Sequence, residues 1–318
     1  MRREEATVSA AKKGVAVLGV FVADLAFRGA RQPAIGETIF GSGFKMGPGG
    51  KGSNQSVAAA RVGAEVTFIS KLGADDFARI ARETWAKEGI RAEVAEVADQ
   101  PTGAAYIFVD ENSGDNAIIV VAGAADTITA ADVEAVAETI RGAAVFVTQL
   151  EQPAAAAQRG LEIARAAGVV TVLNPAPAGP VDDAIYALCD YVTPNEHEAR
   201  VMTGVEVRGV DDARKAGDVF LSKGAGAAIV TLGAAGALLH SPRESILVPA
   251  FKAGTVVETT GAGDAFNGGF AAALARGMSA ADAVRFGSAV AGISVTRKGT
   301  APSMPRLEEV EALLAASG

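Results

Sequence analysis

Sulfur and aromatic side chains are scarce in this chain of 318 residues. Cys189 is its single cysteine, and only 5% of its residues are aromatic. One thiol cannot form a disulfide within the chain, nor can it supply the paired thiolates of a structural zinc site. The two histidines, His197 and His240, are too few and too far apart in sequence to indicate a catalytic metal centre. We therefore expect a protein of a reducing compartment.

Long apolar runs and a positive net charge are also absent. No stretch of about 18 apolar residues occurs, as a membrane-spanning helix would need. The net charge is −8, whereas proteins that bind nucleic acid usually carry a basic surface. Residues 1–13 mix both charges without the apolar centre of an export signal, which predicts a flexible leader. These features predict a cytoplasmic protein that binds neither nucleic acid nor membrane.

Short apolar runs alternate with helical patterns along the rest of the chain. Strands are predicted at residues 15–22, 66–70, 144–148, 169–173, 227–232, 237–240 and 245–248. Helices are predicted at residues 75–88, 130–139, 153–167, 211–223 and 280–296. This alternation predicts an α/β fold with a central, mostly parallel sheet and helices on both faces.

Two segments interrupt this alternation. Residues 37–45 and 102–110 have the composition of strands, and together with residues 116–121 they predict a small sheet that stands off the main one. We expect a single domain over residues 14–318, whose lid is formed by segments at about 36–45 and 102–121. The alternative is a β-extension that only edges the main sheet or pairs subunits.

Residues 259–270, TTGAGDAFNGGF, place a carboxylate between a glycine turn and a helix. Gly261 and Gly263 permit unusual backbone angles and close approach of a phosphate. Unpaired N–H groups at a helix N-terminus attract anions, and Asp264 can accept a proton. The segment therefore predicts a phosphoryl-transfer site. The alternative is a tight connection in which Asp264 is an ordinary first-turn acid.

A second glycine segment, residues 47–64, surrounds Lys51 and leads into an alanine-rich helix. It is not a nucleotide P-loop, because Gly52 and not Ser or Thr follows the lysine. Glycine backbones together with Lys51 and Asn54 can instead hydrogen-bond the hydroxyls of a small polyol. Asp24 can bind two vicinal hydroxyls, and ligands of α/β sheets gather beyond the carboxyl ends of strands. Each residue taken alone has a simpler interpretation: Asp24 is equally well an acid in a turn, and Lys51 a solvated lysine in a loop.

Together, the two glycine segments resemble the ribokinase-like carbohydrate kinases of the phosphofructokinase-B family. The family signatures GGKGxN and TxGAGDxF match residues 49–54 and 259–266, and the resemblance extends over about residues 15–305. Within the family, the ribokinases are most similar, on the segments VLNPAPA at 172–178, YVTPNEHEA at 191–199 and SVTRKGTAPSMP at 294–305. The resemblance implies a three-layer α/β sandwich and ATP-dependent phosphorylation of a primary sugar hydroxyl.

The resemblance also implies roles for individual residues. Asp264 is the expected general base, and the backbone of Gly261, Ala262 and Gly263 is the expected anion hole. The positions expected to bind the sugar are Asp24, Gly50, Lys51, Asn54, Glu151 and Asp264. Those expected to bind ATP are Asn195, Thr231, Gly233, Gly236, Gly263 and Ser288.

Two metal ions are implied as well. Asn195 and Glu198 match a pattern that is linked in the family to the Mg²⁺ carried with ATP, although Asn195 is equally well a helix cap. A monovalent cation, usually K⁺, lies beside the anion hole in this family. The matching positions are Glu258, Thr260, Ser294, Arg297, Gly299 and Ser303. Glu258 departs from the more usual aspartate.

Ribose, converted to ribose 5-phosphate, is the expected substrate. Val22 stands where many ribokinases have an asparagine, which favours a deoxy or differently configured sugar as the alternative. The remaining candidate substrates are 2-dehydro-3-deoxygluconate, fructose and a nucleoside, and a sugar-binding protein without catalysis is a further hypothesis. The resemblance also implies a homodimer joined through the lid.

Overall fold

The computed structural model describes residues 14–317, so the leader expected over residues 1–13 lies outside the described residues. Within them, the strands are β1 Val15–Leu18, β2 Val22–Gly29, β3 Gly43–Gly49, β4 Val66–Gly73, β5 Arg91–Val97, β6 Thr102–Asp110, β7 Asn116–Gly123, β8 Val145–Thr148, β9 Val170–Leu173, β10 Tyr191–Val192, β11 Ala227–Thr231, β12 Ala237–His240 and β13 Ser245–Val248. The helices are α1 Lys51–Arg61, α2 Asp76–Lys87, α3 Ala130–Ala135, α4 Ala137–Gly142, α5 Ala154–Ala166, α6 Glu196–Thr203, α7 Val210–Ser222, α8 Ala262–Ala275, α9 Ala280–Ser294 and α10 Leu307–Ala316. No helix in this described range is long and apolar enough to cross a membrane.

The main sheet follows the order β13-β12-β11-β10-β9-β8-β1-β4-β5. Neighbours from β11 to β5 pair in parallel, whereas β12 and β13 extend the β11 edge in antiparallel pairs. Parallel neighbours need a crossover connection, and helices supply most of these. Between β9 and β10 the connection is instead a 3-10 turn at Asp183–Leu188.

Two hydrophobic cores lie on opposite faces of this sheet. Val15 and Val17 of β1 face the core covered by α1, α2, α8, α9 and α10, whereas Ala16 and Leu18 face the core covered by α3 to α7. Because both faces are covered, β1 is buried at every position, and its sequence shows no polar alternation.

A second sheet has the order β3-β2-β6-β7, with β2 and β6 parallel and the outer pairs antiparallel. The fold class predicted from the sequence is thereby confirmed: a mostly parallel central sheet, helices on both faces, and a smaller separate sheet. The predicted strands at 102–110 and 116–121 correspond to β6 and β7.

Two predicted strand boundaries are wrong. Residues 15–22 do not form one strand, because the chain leaves the main sheet after Leu18 and Val22 begins β2, whose backbone pairs with β3 and β6 along its length. Residues 37–42 form no strand, and only residues 43–45 of the predicted segment belong to β3. In that loop the Glu37 carboxylate pairs with Arg31 and accepts a hydrogen bond from the Ala34 N–H at 2.9 Å, which holds a turn instead of a strand.

Helices α1 and α8 pack with their backbones in contact. A Cβ atom added at Gly268 of α8 would lie 2.4 Å from the Gln55 carbonyl oxygen and 2.5 Å from the Ala58 Cβ of α1. Only glycine leaves room for this approach, and the approach brings the first turns of the two helices together.

We expect Gly268→Ala to destabilise the fold by about 1–3 kcal/mol, because the added methyl group overpacks the α1–α8 contact. Urea unfolding measures this loss. Gly142→Ala in α4 is the matched control, since a Cβ there meets nothing within 4 Å. Equal unfolding midpoints for the two variants would contradict the close packing described above.

Candidate active site

The first turns of α1 and α8 meet at the carboxylate of Asp264. Asn54 Nδ2 donates to Asp264 Oδ2 at 2.9 Å, and Gln55 Nε2 donates to Asp264 Oδ1 at 3.1 Å. The three side chains are buried, and Asp264 is 7% exposed. Burial raises the pKa of Asp264, while the Lys51 charge and the two amide bonds oppose that rise. A carboxylate whose pKa is raised is a stronger base than the same group in water.

The turn before Asp264 has the geometry expected of an anion site. Gly261 is the N-cap of α8, with φ +82°, and no side chain caps the helix. The Ala262 N–H donates to the Thr259 carbonyl at 3.1 Å, whereas among the described residues the N–H groups of Gly263 and Asp264 have no acceptor. A Cβ added at Gly263 would meet open space. Two main-chain donors thus adjoin the buried carboxylate.

Lys51 and Glu151 lie on the α1 side of the site. The Lys51 N–H donates to Glu151 Oε2 at 2.8 Å, and burial raises the pKa of Glu151 to about 7. Burial alone would lower the pKa of Lys51, but the charges of Asp264, Glu151 and Glu198 together outweigh it and raise that pKa. The ammonium group is therefore held charged among three carboxyl groups. Gly50, the N-cap of α1, has φ +86°, and a Cβ there would lie 2.4 Å from the Val20 carbonyl oxygen.

Asp24 reaches the site from the second sheet. The sequence placed it after the first strand of the main sheet, but it lies within β2. Its carboxylate packs on Gly49, where an added Cβ would be 2.2 Å from Oδ1. Burial raises the pKa of Asp24 to about 6, opposed by the Thr300 hydroxyl and reinforced by Asp264 and Glu258. The second sheet therefore supplies a carboxyl group to the same site as α1 and α8.

Asn195 and Glu198 form a capping box at the start of α6. Asn195 Oδ1 accepts from the Glu198 N–H at 2.8 Å, and Glu198 Oε2 accepts from the Asn195 N–H at 2.9 Å. The hydrogen bonds therefore show Asn195 as a helix cap, which was the alternative to its role with Mg²⁺. Burial raises the pKa of Glu198, with Lys51 acting in the opposite direction.

The other expected nucleotide positions lie near the end of β11 and on α9. Thr231 forms a parallel bridge with Asn195, which places the ends of β10 and β11 together. Gly233 and Gly236 form the turn after β11 with φ of 51° and 110°. Ser288 is buried on α9. The direct contacts to Asp264 described above come from α1 and not from these positions.

The expected cation positions are partly brought together. Glu258 Oε2 accepts from the Gly299 N–H at 2.9 Å, and Ser303 Oγ donates to the Thr300 carbonyl at 2.7 Å. Ser294 Oγ donates to the Ala291 carbonyl within α9. The Arg297 side chain pairs instead with Glu309 of α10. Thr260 is exposed.

Several buried or half-buried polar residues around the site were not predicted. Thr300 Oγ1 lies 3.4 Å from Asp24 Oδ2 and 3.2 Å from the Pro48 carbonyl oxygen, so it joins the segment 299–304 to the second sheet. Gln55 directly follows Asn54 in α1, and its side chain donates to Asp264. The others are Gln149, Asn174, Thr193 and Asn267.

Comparison with known proteins identifies the family. The model of the pfkB family carbohydrate kinases matches residues 12–307. The chain belongs to that family. A ribokinase from Haemophilus influenzae is 39% identical over 94% of this chain and 97% of its own length, and a deoxyribokinase from Salmonella typhi is 36% identical over 93% and 96%. An Arabidopsis thaliana ribokinase solved with ribose and ATP superposes with a TM-score of 0.89 at 30% identity, covering 95% of this chain and 99% of the other.

The resemblance predicted from the glycine segments is therefore confirmed. In this pfkB kinase the GGKGxN segment leads into the first turn of α1 and the TxGAGDxF segment into that of α8, and direct hydrogen bonds from Asn54 and Gln55 to Asp264 join the two. A structure of a Thermotoga maritima ribokinase has the same fold, with a TM-score of 0.87 at 35% identity over 95% of this chain and 99% of that one.

Asp24→Asn should raise the melting temperature at pH 7.5 and raise it by less at pH 5, which lies within the range where Asp24 titrates. Because the pKa of Asp24 is raised, the folded state holds this proton more tightly than the unfolded chain, and the group lowers stability as pH rises from 3.8 to about 6. Asparagine removes the buried charge that remains above that range. Calorimetry measures both temperatures, with Asp99→Asn in an exposed turn as the control. The same offset at both pH values would contradict a titration of Asp24.

Proposed function

We propose that the chain transfers the γ-phosphoryl group of ATP to the primary hydroxyl of ribose, giving ribose 5-phosphate and ADP. The observation that carries this proposal is the buried carboxylate of Asp264, fixed by two amides next to main-chain donors at the start of α8. The names of the relatives support the substrate, because ribokinases similar to this chain over nearly its whole length include one solved with ribose and ATP.

In the proposed reaction, Asp24, Lys51, Asn54 and Glu151 together with the backbone at Gly50 hold the sugar hydroxyls. Asp264 takes the proton of the C5 hydroxyl, and that oxygen attacks the γ-phosphorus in line while the bond to the ADP oxygen breaks. The negative charge that develops on the phosphoryl oxygens meets the N–H groups of Gly263 and Asp264, whereas the Ala262 N–H, expected in the anion hole, is bonded to the Thr259 carbonyl. The raised pKa of Asp264 favours proton acceptance in this step.

ATP is proposed to lie along the ends of β10 and β11 and α9. The positions concerned are Asn195, Thr231, Gly233, Gly236, Gly263 and Ser288. Glu198 uses Oε2 in the helix cap, and its carboxylate fits indirect contact with Mg²⁺ through water, as this ion prefers. When bound, Mg²⁺ offsets charge on the phosphates.

A potassium ion is proposed beside the anion hole. The fit rests on two hydrogen bonds. Glu258 accepts from the Gly299 N–H, which joins the segment before the anion hole to residues 299–303, and Ser303 donates to the Thr300 carbonyl within those residues. Although Glu258 is longer than the aspartate more usual in the family, its carboxylate contacts the backbone at Gly299. When bound, the ion supplies positive charge next to Gly261.

Residues 14–318 are proposed to form one kinase domain whose lid is the sheet of β2, β3, β6 and β7. Asp24 supports this role, because a sugar ligand on the second sheet makes its closure part of substrate binding. Closure over the sugar would also exclude water from the transfer.

The decisive experiment is a coupled assay of ADP release with ribose, 2-deoxyribose, fructose, 2-dehydro-3-deoxygluconate and adenosine. We expect the highest kcat/KM with ribose, and Asp264→Asn should lower kcat by orders of magnitude while ATP still binds, because the base is lost but the main-chain donors remain. Asp211→Asn, an exposed acid in the first turn of α7, should keep parental activity. Near-parental turnover by Asp264→Asn would refute the assignment of the base.

We further propose that two copies of the chain associate through the lid. Residues that pair in register share a face of a sheet, so one face of the lid carries Asp24 and the other carries apolar side chains. The apolar side chains exposed on the second face are Phe27, Phe44, Met46, Ile119 and Val121, whereas those exposed on the face of Asp24 are Ile118 and Val120 of β7. A contiguous apolar surface of this kind is typical of a subunit interface.

Ile119→Glu should convert this dimer to a monomer, because it places a charge on the apolar face, at its edge strand β7. Sedimentation velocity measures the mass of each species. Val201→Glu, which changes an exposed valine of α6 outside the lid, should leave the dimer intact. A parent protein that sediments as a monomer at micromolar concentration would rule out the proposed interface.

A further inference from the structure

Buried hydrogen bonds form a closed ring behind Asp264. They run from Gln55 Nε2 to Asp264 Oδ1 (3.1 Å) and to Asn174 Oδ1 (3.1 Å), from Asn174 Nδ2 to the Thr193 carbonyl (3.0 Å), from Thr193 Oγ1 to Asn267 Oδ1 (2.6 Å), and from Asn267 Nδ2 to the Gly263 carbonyl (2.9 Å). The covalent bond between Gly263 and Asp264 closes the ring.

The ring joins elements that are distant in sequence. Gln55 lies on α1, Asn174 follows β9, Thr193 follows β10, and Asn267 lies on α8. None of these four side chains is more than 6% exposed. Buried polar groups that hydrogen-bond one another make their surroundings rigid, because a group whose partner moves away is left buried without a hydrogen bond, which is costly in free energy.

The amide of Gln55 is fixed at both of its ends. Its Nε2 uses two hydrogens, one toward Asp264 and one toward Asn174, and its Oε1 accepts from Gln149 Nε2 at 2.7 Å. Its orientation is therefore determined, and it holds Asp264 Oδ1 in one place.

The other end of the ring acts on the anion site. Asn267 holds the carbonyl of Gly263, and that carbonyl belongs to the same planar peptide as the Asp264 N–H. The direction of this N–H and the position of the carboxylate are thus set by one connected structure. Phosphoryl transfer depends on such placement, because a displacement of about 1 Å can cost a hundredfold in rate.

We propose, on the basis of the kinase function inferred above, that Gln55 and Thr193 are positioning residues that align the base with the anion-site peptide through this ring. Neither residue needs to touch sugar or ATP for this role. The proposal also gives a physical function to the NPAPA and VTPNE segments, which contain Asn174 and Thr193.

Thr193→Val is the sharpest test, because it keeps the shape of the side chain and the carbonyl that Asn174 uses but removes the hydroxyl that holds Asn267. We expect kcat to fall about tenfold or more while KM for ribose and for ATP stays within about twofold. Thr193→Ser retains the hydroxyl and should restore most of kcat. Thr171→Val is the matched control: this buried threonine donates to the Leu188 carbonyl, outside the ring, and its loss should affect stability but not kcat.

Gln55→Met gives an independent readout in the pH profile. The lost amide bond stabilises the charged form of Asp264, so its removal raises the pKa of Asp264 and moves the acid limb of kcat to higher pH. Thr193→Val changes no group bonded to the carboxylate, and its acid limb should match that of the parent. The charged groups that face Asp264 and remain in both variants are Lys51, Asp24, Glu151 and Glu198.

The ring has no positioning role if Thr193→Val keeps kcat within twofold of the parent, or if Thr193→Ser is as impaired as the valine variant. Failure of the proposed function is separate: it appears as a parent protein that does not phosphorylate ribose. In that case the variants are compared on whichever sugar is turned over. If none is, the crystal structure of Thr193→Val decides, because the proposal requires a displaced Gly263 carbonyl or Asp264 carboxylate, and unchanged positions would overturn it.

Discussion

The structure depends on burying a carboxylate, Asp264, where two helices begin. A buried charge is costly unless donors surround it, and here Asn54, Gln55 and the Lys51 charge offset part of that cost. These donors all lie in the first turn of α1, so the carboxylate requires α1 and α8 to pack closely. Gly268 permits that approach, and the first-turn geometry follows from it.

Electrostatics explain why the site tolerates so many acids. Asp24, Glu151, Glu198 and Asp264 all have raised pKa values, each mainly through burial, and Lys51 is a nearby positive charge for the last three. In the free protein this arrangement is unfavourable, since like charges and desolvation add. A ligand that donates hydroxyl hydrogens to these carboxyl groups relieves part of the cost, which is a physical reason for such a cluster to select a polyol.

Apolar runs and helical periodicity in the sequence predicted those strands and helices whose ends are set by neighbouring residues in the chain. The runs at 237–240 and 245–248 match β12 and β13 at both ends, and the helix predicted at 211–223 differs from α7 by one residue at each end. The boundary at Gly19 was missed because β2 is defined by pairing with β3 and β6, which lie far along the chain. The edge strand β5 was missed because Arg91, Glu93 and Glu96 interrupt its apolar residues, so that it contains no apolar run.

The same distinction applies to the site. Asp264 and Asn54 were predicted as site residues because glycine signatures mark their positions, and the family that those signatures indicated is confirmed. Gln55, Thr193 and Asn267 were not, because their significance lies in contacts between residues 74 to 209 positions apart, which no single segment reveals. Thr300 was missed for the same reason, since its partner Asp24 is near the other end of the chain.

The placement of Asp24 on the second sheet has a mechanical consequence. The carboxyl group that we propose to bind the sugar is carried by a sheet with its own strand pairing, joined to the main sheet through short connections such as residues 19–21. Any force that shifts the second sheet therefore shifts this carboxyl group by the same amount. With Asp24 in its proposed role, the affinity for the sugar depends on the position of the second sheet, and contacts on the far face of that sheet alter this affinity without touching the sugar.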